Sequence, residues 1–224
     1  MPLALFDLDN TLLDRDTAYA VWAKGFSPAW DLPESAVAYM VSADGDGLRP
    51  RSELSTAARG RVGLSATVDE LVDTYQRDYP ATFPFPDDSR NALRRLRSAG
   101  WTVGVVTNGP QFQERKLDVV QLWDEVDAVC ISALVDSSKP DSRIFVEAAR
   151  WCRTDLDGWM VGDSGPADIR GGQGVGLRTI WIHRGRTWVA GDPPPGAQSS
   201  GIPDAVRIIL GDATPDLLSR SGPR

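Results

Sequence analysis

The sequence predicts an α/β protein built on a doubly wound, mostly parallel sheet, and three observations carry that prediction. Five short apolar runs, at 3–6, 103–106, 128–131, 159–161 and 179–182, each end at turn or acidic residues. Their hydrophobicity is continuous rather than alternating, as in strands covered by helices on both faces. The segments between them carry helical spacing, and such alternation supplies the crossovers a parallel sheet requires. Finally, more than eighty residues separate the first two runs. That is far beyond a crossover, so the stretch must pack as an inserted element of its own.

Taken in order, the first run leads directly into Asp7-Leu8-Asp9-Asn10-Thr11. The insert, about 15–83, reads as helical at 17–23, 33–40, 51–59 and 68–79, with a loop by composition at 42–50. A helix over 88–99 then presents Ala92, Leu93 and Leu96 on one face, with candidate caps at Asp87 or Asp88 and a stop at Gly100. Another begins at Asp141 or Ser142 and runs to Trp151 with the apolar stripe Ile144, Phe145, Ala148, Ala149 and Cys152. The tail from Gly191 is rich in Pro, Gly and Ser, leaves room for one short helix over 204–210, and is expected to fray after about 212. The expected domains are a core of 1–14 with 84–224 and a helical cap domain of 15–83.

A formal charge of −7 without a basic cluster argues against a nucleic acid polymer or an anionic membrane surface as partner. The apolar runs fall far short of the roughly 20 residues that a membrane span needs. No basic segment precedes the first of them, so a cytoplasmic location is expected. Cys130 and Cys152 lie in apolar segments without CxxC spacing and read as buried thiols. Lys24, Lys116 and Lys139 are the only three lysines, which leaves few candidates for any chemistry needing an ammonium group.

The chemistry-bearing residues cluster at the ends of the predicted strands. Asp7 and Asp9 stand two apart after the first strand, at the edge where open α/β sheets bind ligands. Such a pair can hold a hard divalent cation, Mg²⁺ in particular, although an isolated DxD also reads as a capping turn. The second strand runs out into Thr107-Asn108-Gly109, a hydroxyl, an amide and a flexible backbone suited to an oxyanion. Lys139 follows the third strand just ahead of a helix start, where an ammonium could reach an anion or remain solvated at the surface. The fourth strand ends in Gly162-Asp163 and continues to Asp168, a second acidic pair whose later member could equally cap a helix.

Together, DxDxT at 7–11, Thr-Asn at 107–108, Lys-Pro-Asp at 139–141 and GDxxxxD at 162–168 closely resemble, in order and spacing, the four motifs of the haloacid dehalogenase-like hydrolase superfamily. The resemblance extends to about residue 185, and the insert resembles the helical cap of the branch whose cap follows the first strand. It implies a Rossmann-like core with a mobile lid. It further implies a Mg²⁺-dependent phosphomonoester hydrolase acting on a small phosphorylated metabolite through an aspartyl-phosphate. Asp7 is then the nucleophile and Asp9 the general acid and base. Thr107, the backbone near Asn108, and Lys139 hold the phosphate oxygens, and Mg²⁺ sits among Asp7, the Asp9 carbonyl and Asp163. Asp168 orients Lys139 or a metal-bound water.

The acid at Asp9 sets this chain apart from the dehalogenase branch, which the resemblance describes as lacking one there. A phosphonate-cleaving relative needs a cap lysine, and only Lys24 is available. Phosphomutases share all four motifs, and a non-catalytic binding member of the fold is the alternative outside enzymes. Substrate choice is expected from the loop at 42–50, through Asp44, Asp46, Arg49 and Arg51. His183, the sole histidine, follows the last predicted strand and reads as structural.

Overall fold

The computed structural model describes residues 1–30, 32–44, 51–62, 66–189 and 193–211. In chain order they form β1 (Leu3–Phe6), α1 (Arg15–Ala29), α2 (Glu34–Ala43), α3 (Arg51–Val62), α4 (Val68–Asp78), α5 (Asp87–Ser98), β2 (Thr102–Thr107), α6 (Gln113–Val119), β3 (Ala128–Ile131), α7 (Ser132–Val135), α8 (Ser142–Trp151), β4 (Gly158–Gly162), α9 (Arg170–Gly174), β5 (Arg178–Ile182), β6 (Ala197–Ser199) and α10 (Ile202–Leu210). The chain divides into two compact units. One comprises Met1–Leu12, Phe85–Gln111 and Leu122–Arg224, the other Leu13–Pro84 and Phe112–Gln121.

The first unit is built on a six-stranded sheet of order β3-β2-β1-β4-β5-β6, parallel at every pairing. β1, β2 and β4 are buried along their whole length, which is why their sequences show no alternation. Leu5 of β1 pairs with Gly104 of β2 and faces the same side. There Leu3, Leu5, Val106, Cys130 and Met160 pack against Ile144, Phe145 and Ala148 of α8. Gly104 is required on this side, because a Cβ would lie 2.6 Å from Cys152 Sγ and 2.9 Å from Leu5 Cδ2. Helix α5 packs on β2 and on α10, which also covers β5 and β6. Both cysteines are free and buried, and burial pushes their thiols up to about 11 and 12.

Two features of this unit depart from expectation. A sixth strand, β6, lies in the Pro/Gly/Ser-rich stretch read as tail; with only three residues, Ala-Gln-Ser, it offers no apolar run to detect. Asp87 and Asp88 are not caps. Pro86 holds the N-cap position of α5, and the two acids lie within its first turn, where the helix dipole favours them.

The second unit is helical, with an aromatic interior. Tyr19 and Trp22 of α1, Tyr75 of α4 and the following Tyr79 have ring centroids 4.5–6.3 Å apart. Helix α4 begins with a full capping box, in which the Thr67 hydroxyl accepts from the Glu70 amide and the Glu70 carboxylate from the Thr67 amide. Helix α6 belongs here too: Phe112, just ahead of it, lies 5.7 Å from the Tyr75 ring, and Lys116 Nζ lies 5.0 Å from the Phe83 ring. The stretch 112–121 is therefore packed with the helical unit although it falls outside the 15–83 span read from the sequence. Among the described residues no helix is long and apolar enough to cross a membrane.

Candidate functional site

The parallel sheet delivers four chemistry-bearing segments to the carboxyl ends of its strands. Asp7 directly follows β1, and its amide donates to the Val161 carbonyl of β4 at 2.9 Å, which fixes the point where the chain leaves the sheet. Its carboxylate accepts from Lys139 Nζ at 2.5 Å. The same ammonium forms an ion pair with Asp168 Oδ1 at 2.7 Å and donates to the Val106 carbonyl at 2.8 Å, so three oxygens surround it. Lys139 is thus buried, not solvated.

The position of Lys139 is set by Asn108. The Asn108 amide group donates to the Lys139 carbonyl at 2.9 Å and its oxygen accepts from the Lys139 amide at 2.8 Å, a two-point clamp on the backbone that carries the ammonium. The side chain of Asn108 is therefore engaged in positioning, which leaves backbone for the oxyanion role expected near it. Ser132, at the start of α7, fixes the same turn by accepting from the Gly109 amide at 2.9 Å and donating to its carbonyl at 3.2 Å. Thr107 ends β2 and is buried. The Lys139–Pro140 peptide is cis, and Asp141 caps α8 by accepting from the Arg143 amide at 2.8 Å.

Asp163 directly follows β4, and Asp168 lies in the single turn of π-helix beyond it, Gly165–Ile169. Ser164 caps that turn through the Ala167 amide, and its own amide donates to Asp168 Oδ2 at 2.9 Å. Asp168 is pressed against Gly162, where a Cβ would lie 2.2 Å from its carboxylate. Glycine at the head of GDxxxxD is thus a space requirement. Gly162→Ala is expected to displace Asp168 and, through it, Lys139, lowering both thermal stability (by about 2 kcal/mol or more) and any turnover; an unchanged melting temperature would refute this.

Oxygens of Asp7, Asp163 and Asp168 lie within 4.8 Å of one another. Burial drives the Asp7 carboxyl up, the Lys139 ammonium pulls it back, and the charges of Asp168 and Asp163 raise it again, to about 8. Burial and the Asp168 charge likewise raise Asp163 to about 6 against the pull of Arg186. Burial opposes the Lys139 charge, but Asp168 and Asp7 outweigh it and hold its pKa above that of an ordinary lysine. These carboxyls are hard to ionise first because they are buried and then because neighbouring acids add negative charge. Oxygen-only ligands with surplus negative charge fit a small divalent cation.

Asp9 lies two residues beyond Asp7, half-buried, in the turn leaving β1. Its carboxylate is not one of the three that converge. Of the residues expected to read substrate, Asp44 is buried and its Oδ2 accepts from Arg15 Nη2 at 2.6 Å, an ion pair internal to the helical unit. Asp46 and Arg49 lie outside the described residues, as does the tail beyond 211; for Arg51 only the backbone is described. Lys24 is exposed on α1. His183 is half-buried, with its Nδ1 accepting from the Gly185 amide at 2.9 Å, a turn-forming bond. Arg186 escaped the sequence reading. Its Nη2 donates to both the Oδ2 and the carbonyl of Asp163 at 2.9 Å, and Trp181 Nε1 donates to that carbonyl at 2.8 Å. Its placement four residues beyond β5, at the sheet edge that holds the acids, is the signal that could have found it.

The family model described as haloacid dehalogenase-like hydrolase matches residues 4–182. This chain belongs to that family. Among its relatives, this haloacid dehalogenase-like hydrolase is 34% identical over 100 residues to the glyceraldehyde 3-phosphate phosphatase of Pyrococcus abyssi, covering 44% of this chain and 42% of that protein. It is 28% identical over 155 residues to the phosphoserine phosphatase of Thermus thermophilus, covering 67% and 60%. The matches thus span about half the length of these curated relatives. Among solved structures it is similar to a HAD phosphatase from Thermococcus onnurineus, with a TM-score of 0.65, 25% identity and 94% and 98% coverage of the two chains. It shares its fold with the magnesium-bound HAD-hydrolase YfnB from Bacillus subtilis, at a TM-score of 0.75, 22% identity and coverage of 93% and 98%.

Proposed function

We propose that this chain is a Mg²⁺-dependent phosphomonoester hydrolase acting on a small phosphorylated metabolite. The observation that carries the reading is the convergence of the Asp7, Asp163 and Asp168 carboxylates, with Lys139 paired to Asp7 and Asp168 and held by the Asn108 clamp. The phosphatase names of the relatives support the substrate class.

Asp7 is the nucleophile: its carboxylate attacks phosphorus, the bond to the leaving oxygen breaks, and an aspartyl-phosphate forms. Asp9 donates the proton that the leaving oxygen requires and then takes one from the water that cleaves the acyl phosphate. Lys139 steadies the Asp7 carboxylate before attack and offers positive charge to the phosphoryl oxygens during it. Thr107 and the backbone at Asn108 supply donors to the same oxygens. Asp168 keeps Lys139 charged and in place. Mg²⁺ would be held by Asp7, Asp163 and the Asp9 carbonyl, and when bound it supplies positive charge that relieves repulsion between nucleophile and phosphate. The acid at Asp9 favours phosphoryl over halide displacement, because an alkoxide leaving group needs a proton and a halide does not. The helical unit, read as a cap, would select the organic part of the substrate.

The test is release of inorganic phosphate from sugar phosphates, nucleotides, phosphorylated amino acids and an aryl phosphate, with Mg²⁺ and with chelator. Turnover of one substrate well above the aryl phosphate, abolished by chelator, is expected. Asp163→Ala is expected to raise the Mg²⁺ concentration for half-maximal rate at least about tenfold, while KM for the organic substrate changes less. Phosphate release from no substrate by folded protein that binds Mg²⁺ would overturn the hydrolase reading.

A further inference from the structure

We infer that Arg186 is a built-in counter-ion of the cation site: it pairs with Asp163 and competes with an incoming divalent cation for that carboxylate. The inference rests on the cation reading above and deepens it. Two basic side chains pair directly with the acids of the cluster, while Arg184 acts on Asp163 from farther away. Lys139 takes Asp7 and Asp168, whereas Asp163 pairs with Arg186, whose Nη2 lies 2.9 Å from Oδ2. The two pairings differ in character. The Lys139 ammonium is buried and locked by three oxygens, while the Arg186 side chain is 45% exposed and approaches from the loop after β5.

An exposed guanidinium can exchange a carboxylate for water with little loss, so it is suited to yielding when a doubly charged ion arrives. Its hold on the Asp163 carbonyl, shared with Trp181 Nε1, is independent of the carboxylate, so Arg186 can release Oδ2 and remain beside the site. The Arg186 ring contact, 5.8 Å from the Trp181 centroid, adds a second anchor. The loop itself is formed locally: the Arg186 amide donates to the His183 carbonyl at 2.8 Å, the Gly185 amide donates to His183 Nδ1, and Gly185 takes the positive φ of 74° that the turn needs. The Arg186 side chain adds only a long bond to this turn, from Nε to the His183 carbonyl at 3.3 Å, so the backbone bonds and Gly185 are expected to keep the turn when that side chain is replaced.

Charge competition and simple bracing make opposite demands on cation affinity. If Arg186 competes, removing its charge tightens Mg²⁺ binding; if it only holds Asp163 in the right orientation, removing it weakens binding. Isothermal titration of MgCl₂ into the wild type, Arg186→Gln and Arg186→Lys separates the two. Arg186→Gln is expected to bind Mg²⁺ roughly three- to tenfold more tightly in low salt, with the gap narrowing as salt screens the charge. Arg186→Lys keeps the charge and is expected within about twofold of the wild type. Equal or weaker binding by Arg186→Gln overturns the inference, and so does Arg186→Lys binding as tightly as Arg186→Gln, because charge would then not be the cause. A wild type without saturable Mg²⁺ binding would instead overturn the cation reading on which the inference stands.

Discussion

Asp7→Asn is expected to abolish phosphate release, by at least about a thousandfold in kcat, while leaving the protein folded and able to bind substrate. The amide keeps the shape of the carboxyl and an oxygen to accept from Lys139, but its oxygen is a poor nucleophile. Stability is expected to be unchanged or increased. With its pKa raised to about 8, Asp7 favours the folded state in its protonated form, an advantage fully present below the ordinary carboxyl range and lost as pH rises toward 8. At pH 7 part of that advantage is gone, and a neutral amide restores it. Lys139 still has Asp168 at 2.7 Å. Thermal melts at pH 7, beside the phosphate assay, check both halves. Ordinary activity in Asp7→Asn would refute the nucleophile assignment, and a large fall in melting temperature would make loss of activity uninformative about chemistry.

How much of this was legible beforehand follows from how local each signal is. Strands β1 to β5 announce themselves because burial on both faces demands continuous apolar runs, and the acids following β1 and β4 announce an edge where ligands bind. Asp7, Thr107, Lys139, Asp163 and Asp168 could thus be placed at one sheet edge without coordinates. Relations that depend on long-range packing left no such mark. Nothing in Thr-Asn-Gly states that the Asn108 side chain grips the backbone of Lys139, 31 residues away. Residues 112–121 carry no break in composition, and their membership in the helical unit rests on contacts such as Phe112 with Tyr75. Asp44 looked like a loop residue able to meet substrate, because sequence does not reveal that α2 extends to Ala43 and that Arg15 waits for the carboxylate. Arg186 was hidden by the abundance of arginine in the chain: its place four residues beyond β5 points to the right edge, but the pairing with Asp163 is fixed by packing.

Lys139→Met is expected to be the most destabilising single change at the site, by about 3–5 kcal/mol at neutral pH. Methionine preserves much of the volume but removes the charge that balances Asp7 and Asp168, and it leaves the Val106 carbonyl without its donor. Two buried carboxylates would then face each other and Asp163 across a few ångströms. The sign of the pH dependence follows. Carboxyls whose folded pKa lies above the unfolded value favour folding when protonated, so the variant recovers stability toward pH 4 and loses it progressively as pH rises toward 8. The wild type, with the ammonium in place, is expected to vary less over that window. Adding Asp7→Asn to Lys139→Met should restore a large part of the lost stability by removing one of the two stranded charges, although the double variant stays inactive. Denaturant melts of the four proteins at pH 5 and pH 8 close this cycle. Equal stability losses at both pH values, or no rescue by Asp7→Asn, would mean that packing rather than charge is what Lys139 contributes, and the electrostatic account of the site would fall with it.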